Sequence, residues 1–372
     1  MKILIIAYPN LKKDPRPYRQ IKALYKNHEV HTAGYSESGL EASFFKLGKH
    51  KFFIEIFRLI LLKLGFYNFY YWDKYKLRVL KKLKETKYDL IIAHEIRLLP
   101  LALKISKNSK IILDAHEYSP KNYDDSLLWR FFIKKYYTYL CYKYIPKVSK
   151  LISVSPGIVE EYNKNFKTDA ELITNASEYY ENLTPKKINE KKIRIIHHGI
   201  ASSSRKLELI VEMMKFLDNS VYELNLMLVS STFSSLYLRK LKTIAKGLNI
   251  VFLKPVSRNR LVKFCNQFDI GIHFVPPSNF NLKYGLGNKF FEYVQSRLAI
   301  AIGPDIEMSK YIKKYDLGII SKDWTPQSIA NSIASVNSKK LFYHKNQSHK
   351  YSENLSEKSN TQKFLKLIKS FN

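Results

Sequence analysis

The sequence predicts an α/β protein made of two Rossmann-like, doubly wound parallel sheets. Three observations predict it. Short runs that are apolar on both faces alternate with longer amphipathic stretches, the rhythm of βαβ units. That rhythm stops once, across a polar and charged stretch, and then restarts. The length, 372 residues, exceeds what one ordinary α/β core holds.

The first series runs KILIIA (2–7), EVHTAG (29–34), YDLIIAH (88–94), KIILDAH (110–116) and KLISVS (150–155). The second runs NEKKIRIIHHG (189–199), YELNLMLVS (222–230), NIVFL (249–253), DIGIHFV (269–275), RLAIAIG (297–303) and DLGIIS (316–321). These runs are rich in β-branched and apolar residues on both faces, as strands covered on both sides must be. Between the series lies ASEYYENLTPKKINEKK, which places the domain junction near 177–191. The expected domains are 1–180 and 181–360. The Ser/Asn/Lys-rich stretch 336–360 reads as loop, and TQKFLKLIKSF (361–371) reads as a final amphipathic helix, with 361–372 free to pack back on the first domain. Open α/β sheets bind ligands at the carboxyl ends of their strands. Two such sheets facing an interdomain cleft would place a ligand between them.

Composition narrows the partners. Lys and Arg total 63 against 32 Asp and Glu, a formal charge of +31. That balance favours phosphates, acidic lipid head groups or nucleic acid, unless the chain is merely soluble and basic. Cys141 and Cys265 stand far apart and form no CxxC, so neither a zinc site nor a disulfide framework is expected. MKILIIAYPN meets KKDPRP at once and is not read as a signal peptide. Arg58 and Lys63 break the longest apolar run, so no membrane span is expected. A cytoplasmic location fits. Two segments, KFFIEIFRLILLKLGFYNFYYW (51–72) and LLWRFFIKKYYTYLCYKYI (127–145), are aromatic, apolar and studded with Lys and Arg. Each either lies on an anionic membrane surface or covers the sheet with its lysines in water.

The constellations that can carry chemistry follow strands. In HHGIASSSRKLELIVEMMKFL (197–217) a strand ends at His198, Gly199 turns, and Ser202, Ser203 or Ser204 caps a helix. Such a helix start suits a phosphate. Arg205 and Lys206 in its first turn oppose the dipole, which makes sense if an anion binds there; otherwise they reflect a basic composition. In YGLGNKFFEYVQSR (284–297), Gly285 and Gly287 permit close backbone approach, Asn288 caps a helix beginning near Lys289, and Phe290, Phe291 and Val294 face the core. As a GxGxxG it fails, because Phe290 stands at the third glycine position. Glu292 is either a dipole-friendly carboxylate paired with Lys289 or an acceptor for sugar hydroxyls. His94-Glu95 and His116-Glu117 each close a strand. Their spacing suits a substrate-facing rim better than a metal, and no metal is expected. No GxSxG and no Walker lysine loop is present.

Taken together, these stretches resemble bacterial retaining glycosyltransferases of family 4, with the GT-B architecture of two Rossmann-like domains. The likeness runs through DPRPYRQIKALYKNHEVHTAG, IILDAHEYSP, LISVSPGIVEEY, HHGIASSSRKLE and GNKFFEYVQSRLAIAIGPDIEMSKYI, in order. The resemblance implies that Glu292, the second position of an E-x7-E motif, contacts the nucleotide ribose. It implies that Arg205 holds the donor pyrophosphate after the loop opened by Gly199, with Lys289 as a second phosphate contact. His116 falls beside the donor sugar, and His116, Arg205 and Lys289 form the expected catalytic set. Ser204, Tyr284, Gly285, Leu286, Gly287 and Asn288 complete the expected donor-binding set. Asp14, Arg16, His94 and Glu95 are assigned to the acceptor. The chain departs from the pattern in three places: Tyr284 replaces the first glutamate, Ile200 replaces a second arginine, and PNLKKDPRP lacks a glycine pair.

The implied activity is metal-independent transfer of a hexosyl group, with retention, from a UDP- or GDP-sugar, without a further cofactor. The acceptor is a glycan, lipid-linked in bacterial surface polysaccharide or glycoconjugate synthesis, met by a peripheral enzyme on the inner face of the membrane. A non-catalytic GT-B partner subunit would show weak donor binding. A sugar-nucleotide epimerase of the same fold would need no acceptor. A basic nucleic-acid binder would show strongly salt-dependent binding, and no known nucleic-acid module is present to support it.

Overall fold

The computed structural model describes the chain except residues 9, 51, 230–234 and 372 and the side chain of residue 52. The start of the 51–72 segment, the end of the 222–230 strand and one residue of the first loop therefore lie outside the described residues. The chain divides into two compact units. The first comprises Met1–Thr174, Asn279–Gly285 and Asn360–Asn372; the second comprises Asn175–Ser278 and Leu286–Ser359.

The first unit is built on seven strands, β1 (Lys2–Ile6), β2 (Glu29–Gly34), β3 (Ser43–Lys46), β4 (Leu90–His94), β5 (Lys110–Ala115), β6 (Lys150–Ser153) and β7 (Glu171–Leu172). They pair in parallel in the order β3-β2-β1-β4-β5-β6-β7, with Ile5 registered against Thr32 on one side and Ile92 on the other. Ile3 to Ile6 are all fully buried, which is why the run is apolar on both faces. Helices α1 (Pro15–Leu24), α2 (Phe52–Lys63), α3 (Tyr67–Tyr71), α4 (Lys74–Leu83), α5 (Leu99–Ile105), α6 (Leu127–Phe132), α7 (Lys134–Tyr144) and α8 (Pro156–Phe166) fill the connections.

The second unit holds β8 (Ile193–Ile200), α9 (Glu208–Met213), β9 (Tyr222–Val229), α10 (Ser235–Ile244), β10 (Ile250–Leu253), α11 (Arg258–Cys265) and β11 (Ile270–His273). The short α12 (Phe280–Lys283) follows and belongs to the first unit; α13 (Asn288–Gln295), β12 (Ala299–Ile302), α14 (Ile306–Tyr315), β13 (Gly318–Ile320), α15 (Pro326–Ala334) and α16 (Ser338–Lys350) return to the second. The six strands are parallel in the order β10-β9-β8-β11-β12-β13. The last helix, α17 (Glu357–Lys369), buries Phe364, Leu367 and Ile368 beside Ile3, Ile5 and Ile112 of the first sheet.

Both sheets reverse their strand order once, between β1 and β4 and between β8 and β11. Such a switch point opens a crevice beyond the carboxyl ends of the two strands. Tyr8, His94 and Glu95 lie there in the first unit, and His198, Gly199 and His273 in the second.

Three local expectations change. The stretch 336–360, read as loop, carries α16. Its inward stripe is Leu341, His344, Lys345 and Ser348, spaced as a helix face but mostly polar, so hydrophobic periodicity could not announce it. Lys345 Nζ reaches the Phe268 carbonyl at 3.0 Å and Asp269 at 3.1 Å, which makes its burial tolerable. No serine side chain caps a helix after Gly199: Ser203–Arg205 form a 3-10 turn, Lys206 is left-handed at φ +47°, and α9 begins only at Glu208. Asn288 is the first residue of α13 rather than its cap; Gly287 takes the cap position with no side-chain bond.

Candidate functional site

At the carboxyl end of β8 the backbone turns through Gly199 at φ +133°, a conformation that favours glycine. A Cβ on Gly199 would lie 2.7 Å from Lys289 Cε, 2.9 Å from Lys289 Nζ and 3.5 Å from Arg205 Nη1. Two cationic side chains thus converge beside one bare backbone position. Arg205 comes from the 3-10 turn after β8, and Lys289 from the first turn of α13. Among the described residues no acid forms an ion pair with either. Burial, then the nearby Arg205, pushes the Lys289 amine down to about 7. Burial also lowers Arg205. Like charge on the two side chains is unfavourable at short range, and an anion between them reverses the sign.

Glu292 lies on α13 one turn beyond Lys289, partly exposed, with Oε2 3.5 Å from His198 Nε2. The Glu292 carboxylate sits near enough to raise the Lys289 amine, but the two form no ion pair within 4.0 Å among the described residues. His198 stacks edge-on against Tyr293 at 5.1 Å between ring centroids. His197 Nδ1 meets the Ile272 carbonyl at 3.0 Å. Burial followed by Lys289 pushes His197 down to about 3 and lowers His198 and His273 well below the usual range. These shifts favour neutral imidazoles at all three histidines, which leaves Lys289 and Arg205 as the cationic groups near Gly199. The histidines were not singled out in the sequence; the HH doublet at the end of IRIIHHG was the available signal.

The other sequence-named donor residues scatter. Ser204 is exposed and shares a 2.8 Å hydrogen bond with Ser202. Tyr284 and Gly285 belong to the first unit: Ser155 Oγ donates to the Tyr284 carbonyl at 2.6 Å, and Tyr284 packs on Phe280. Gly285 is needed because a Cβ there would lie 2.5 Å from the Asn281 carbonyl oxygen, so its close backbone approach is to its own helix turn. Leu286 is buried in the second core, while Gly287 and Asn288 are exposed.

The first unit carries a polar layer at the ends of β4 and β5. His94 Nδ1 lies 3.0 Å from His116 Nε2, and His116 Nδ1 lies 3.4 Å from Glu95 Oε1. Beneath them Asp114 is fully buried; Arg16 Nε donates to both its oxygens at 2.8 and 2.9 Å, and Gln20 donates at 2.5 Å. Arg16 Nη1 also donates to the Ile173 carbonyl at 2.7 Å. Arg16 is thus buried in the frame of the first unit, and Asp14 caps α1 by accepting from the Arg16 amide. His94 is buried as well, which leaves Glu95 and His116 as the partly exposed members.

Glu95 holds φ +72°, an unfavourable conformation for a residue with a Cβ. Burial, followed by the neighbouring Glu117, pushes its carboxyl up to about 8. Burial pushes His116 down to about 3 despite Asp114. Arg97, which lies 4.9 Å over the Tyr8 ring, opposes the rise at both glutamates. A carboxyl pushed toward its neutral form and a neutral imidazole can both donate to and accept from hydroxyl groups. His94, Asp114 and His116 are also close enough together to hold a cation. Within the protein both Asp114 oxygens accept from Arg16, one of them also from Gln20, and His94 Nδ1 faces His116 Nε2.

No protein-family model matches the sequence, and no curated protein matches it. Solved structures do match the whole chain. HepE of Anabaena, in complex with UDP, superposes with a TM-score of 0.74 at 13% identity, over 100% of both chains. Sucrose-phosphate synthase from Thermosynechococcus elongatus gives 0.73 at 11% identity, over 100% of this chain and 98% of that one. The UDP-forming α,α-trehalose-phosphate synthase from Burkholderia vietnamiensis gives 0.67 at 10% identity, over 100% of both. At such identities the likeness speaks for architecture, and with two parallel-sheet α/β units this chain has the GT-B fold.

Proposed function

We propose that the chain is a glycosyltransferase that moves a hexosyl group, with retention, from a UDP- or GDP-sugar to a glycan acceptor. The convergence of Lys289 and Arg205 beside Gly199, with Glu292 one helical turn away, carries this reading. The pyrophosphate lies between the two cations, and Glu292 accepts from the ribose hydroxyls. As the glycosidic bond breaks, negative charge grows on the leaving nucleoside diphosphate. Lys289 and Arg205 stabilise it without waiting for solvent to reorganise, the task a divalent cation performs elsewhere, and such a donor typically contributes about 10²–10³ in rate. No metal is therefore assigned to the step. The His116 and Glu95 rim orients sugar hydroxyls in the first unit.

The acceptor is assigned to a lipid-linked glycan of surface polysaccharide or glycoconjugate synthesis, with the enzyme peripheral on the inner face of the membrane. The excess of basic residues and the exposed aromatic helices of the first unit support this part. A second reading, a non-catalytic GT-B partner subunit, draws on Tyr284, whose carbonyl and ring are both engaged by the first unit.

The test is turnover. The protein is incubated with a panel of UDP- and GDP-sugars, and released nucleoside diphosphate is measured with and without lipid extracts. Slow release from one donor, accelerated by a lipid acceptor and lost in Arg205→Ala, supports the transferase. Absence of release from every donor, with intact fold, favours the partner subunit.

A further inference from the structure

The two aromatic segments that are separate in sequence form one surface. In the first unit α2 packs against both α3 and α6. Lys63 Nζ on α2 lies 3.3 Å from the ring centroid of Phe131 on α6, so the two helices share a cation–π contact. On these three helices Phe53, Phe57, Phe69, Leu127, Leu128 and Phe131 are each between 57% and 77% exposed. Large apolar side chains left exposed on helices that pack together mark an interaction site rather than ordinary scatter. Exposed basic residues stand on these helices and on the ones that follow them: Lys63, Lys74, Arg130, Lys134 and Lys135. Of the acids on or beside these helices, Glu55 pairs with Arg58 and Asp73 with Lys76, while Asp124 accepts from the Phe280 amide and Asp125 from Asn279 Nδ2.

We propose that this α2-α3-α6 face seats in the head-group region of an anionic bilayer. The phenylalanine and leucine side chains enter the boundary between head groups and acyl chains, and the lysines stay at the level of the phosphates. Charge selects this occupant. A second copy of the chain would bring basic residues against basic residues, whereas an anionic leaflet meets both the apolar and the positive side chains. No helix among the described residues is long and apolar enough to cross a membrane, so the contact is interfacial. The inference rests on the membrane part of the proposed function and not on the transfer chemistry.

The test is co-sedimentation of the full chain with vesicles of phosphatidylcholine plus phosphatidylglycerol, beside vesicles of phosphatidylcholine alone. Binding to the mixed vesicles that weakens with salt is expected. Phe57→Ser and Phe69→Ser should each lower partitioning about tenfold, since each removes a large apolar side chain from the buried set. Both variants should keep wild-type thermal stability and any stabilisation by nucleotide sugar. No binding of wild type to the mixed vesicles at low salt would overturn the proposal. So would binding that both variants retain, or a dimer that the variants break while vesicles are ignored. Vesicle binding without nucleotide-sugar stabilisation would uphold the face and remove the transfer reading; the converse would remove the face alone.

Discussion

Lys289 occupies the space that a side chain at Gly199 would need. A single methyl group there would lie 2.7 Å from Lys289 Cε and 2.9 Å from its Nζ, and the backbone at φ +133° would be strained as well. The absence of a side chain at Gly199 is therefore part of how the two cations of the candidate donor site come together.

Gly199→Ala should separate binding from folding. The strained backbone alone costs about 1–3 kcal/mol. The flexible Lys289 side chain can retreat, so the protein should fold with a lowered Tm. Stabilisation by nucleotide sugar should drop much further than Tm, because Lys289 is displaced. Thermal unfolding with and without ligand checks both effects.

Donor binding should take up a proton. In the free protein Lys289 is pushed down to about 7, against an ordinary value of about 10.4. Between those values the unfolded chain holds a proton that the folded chain lacks, so Lys289 makes stability rise with pH through that window; its penalty is fully present below pH 7. A bound pyrophosphate raises the amine again, so affinity should fall as pH climbs above 7. Calorimetry in buffers of different ionisation enthalpy should show proton uptake for wild type near pH 8 and none for Lys289→Met.

Glu292 should read the ribose. Wild type should bind a UDP-sugar more tightly than its 2′-deoxyribose counterpart, by about 1–3 kcal/mol for a lost hydrogen bond to a charged group. Glu292→Ala should bind both equally and weakly. A preference that persists in the variant would place the ribose elsewhere.

Arg16 should matter for stability rather than turnover. Arg16→Met would leave Asp114 charged and buried, which typically costs about 3–5 kcal/mol. Denaturant unfolding should show the loss, and donor affinity per folded molecule should stay near wild type.

Much of the fold was legible because its central strands are apolar on both faces, as in KILIIA and KIILDA. The edges were not: β3 is a half-buried SFFK and β7 only two residues, so neither shows a full pattern. Helix α16 escaped because its inner face carries His344, Lys345 and Ser348. Gly199, Arg205, Lys289 and Glu292 were named from positions next to strands and from a resemblance, and they lie side by side. The local geometry at Arg205 was not legible, since Lys206 in the left-handed region stops the turn before a helix can start. The burial of Arg16 was not legible because its partner, Asp114, stands 98 residues away in sequence. The single aromatic face likewise needed α2 and α6 side by side, which no local pattern encodes.

Equilibrium binding of UDP- and GDP-sugars to wild type, Arg205→Ala and Glu292→Ala, read by thermal shift and calorimetry, tests the proposed donor site most directly. At least one nucleotide sugar should stabilise wild type, and both variants should lose the effect while remaining folded. Stabilisation that survives both substitutions, or no stabilisation of wild type by any nucleotide sugar, would contradict it.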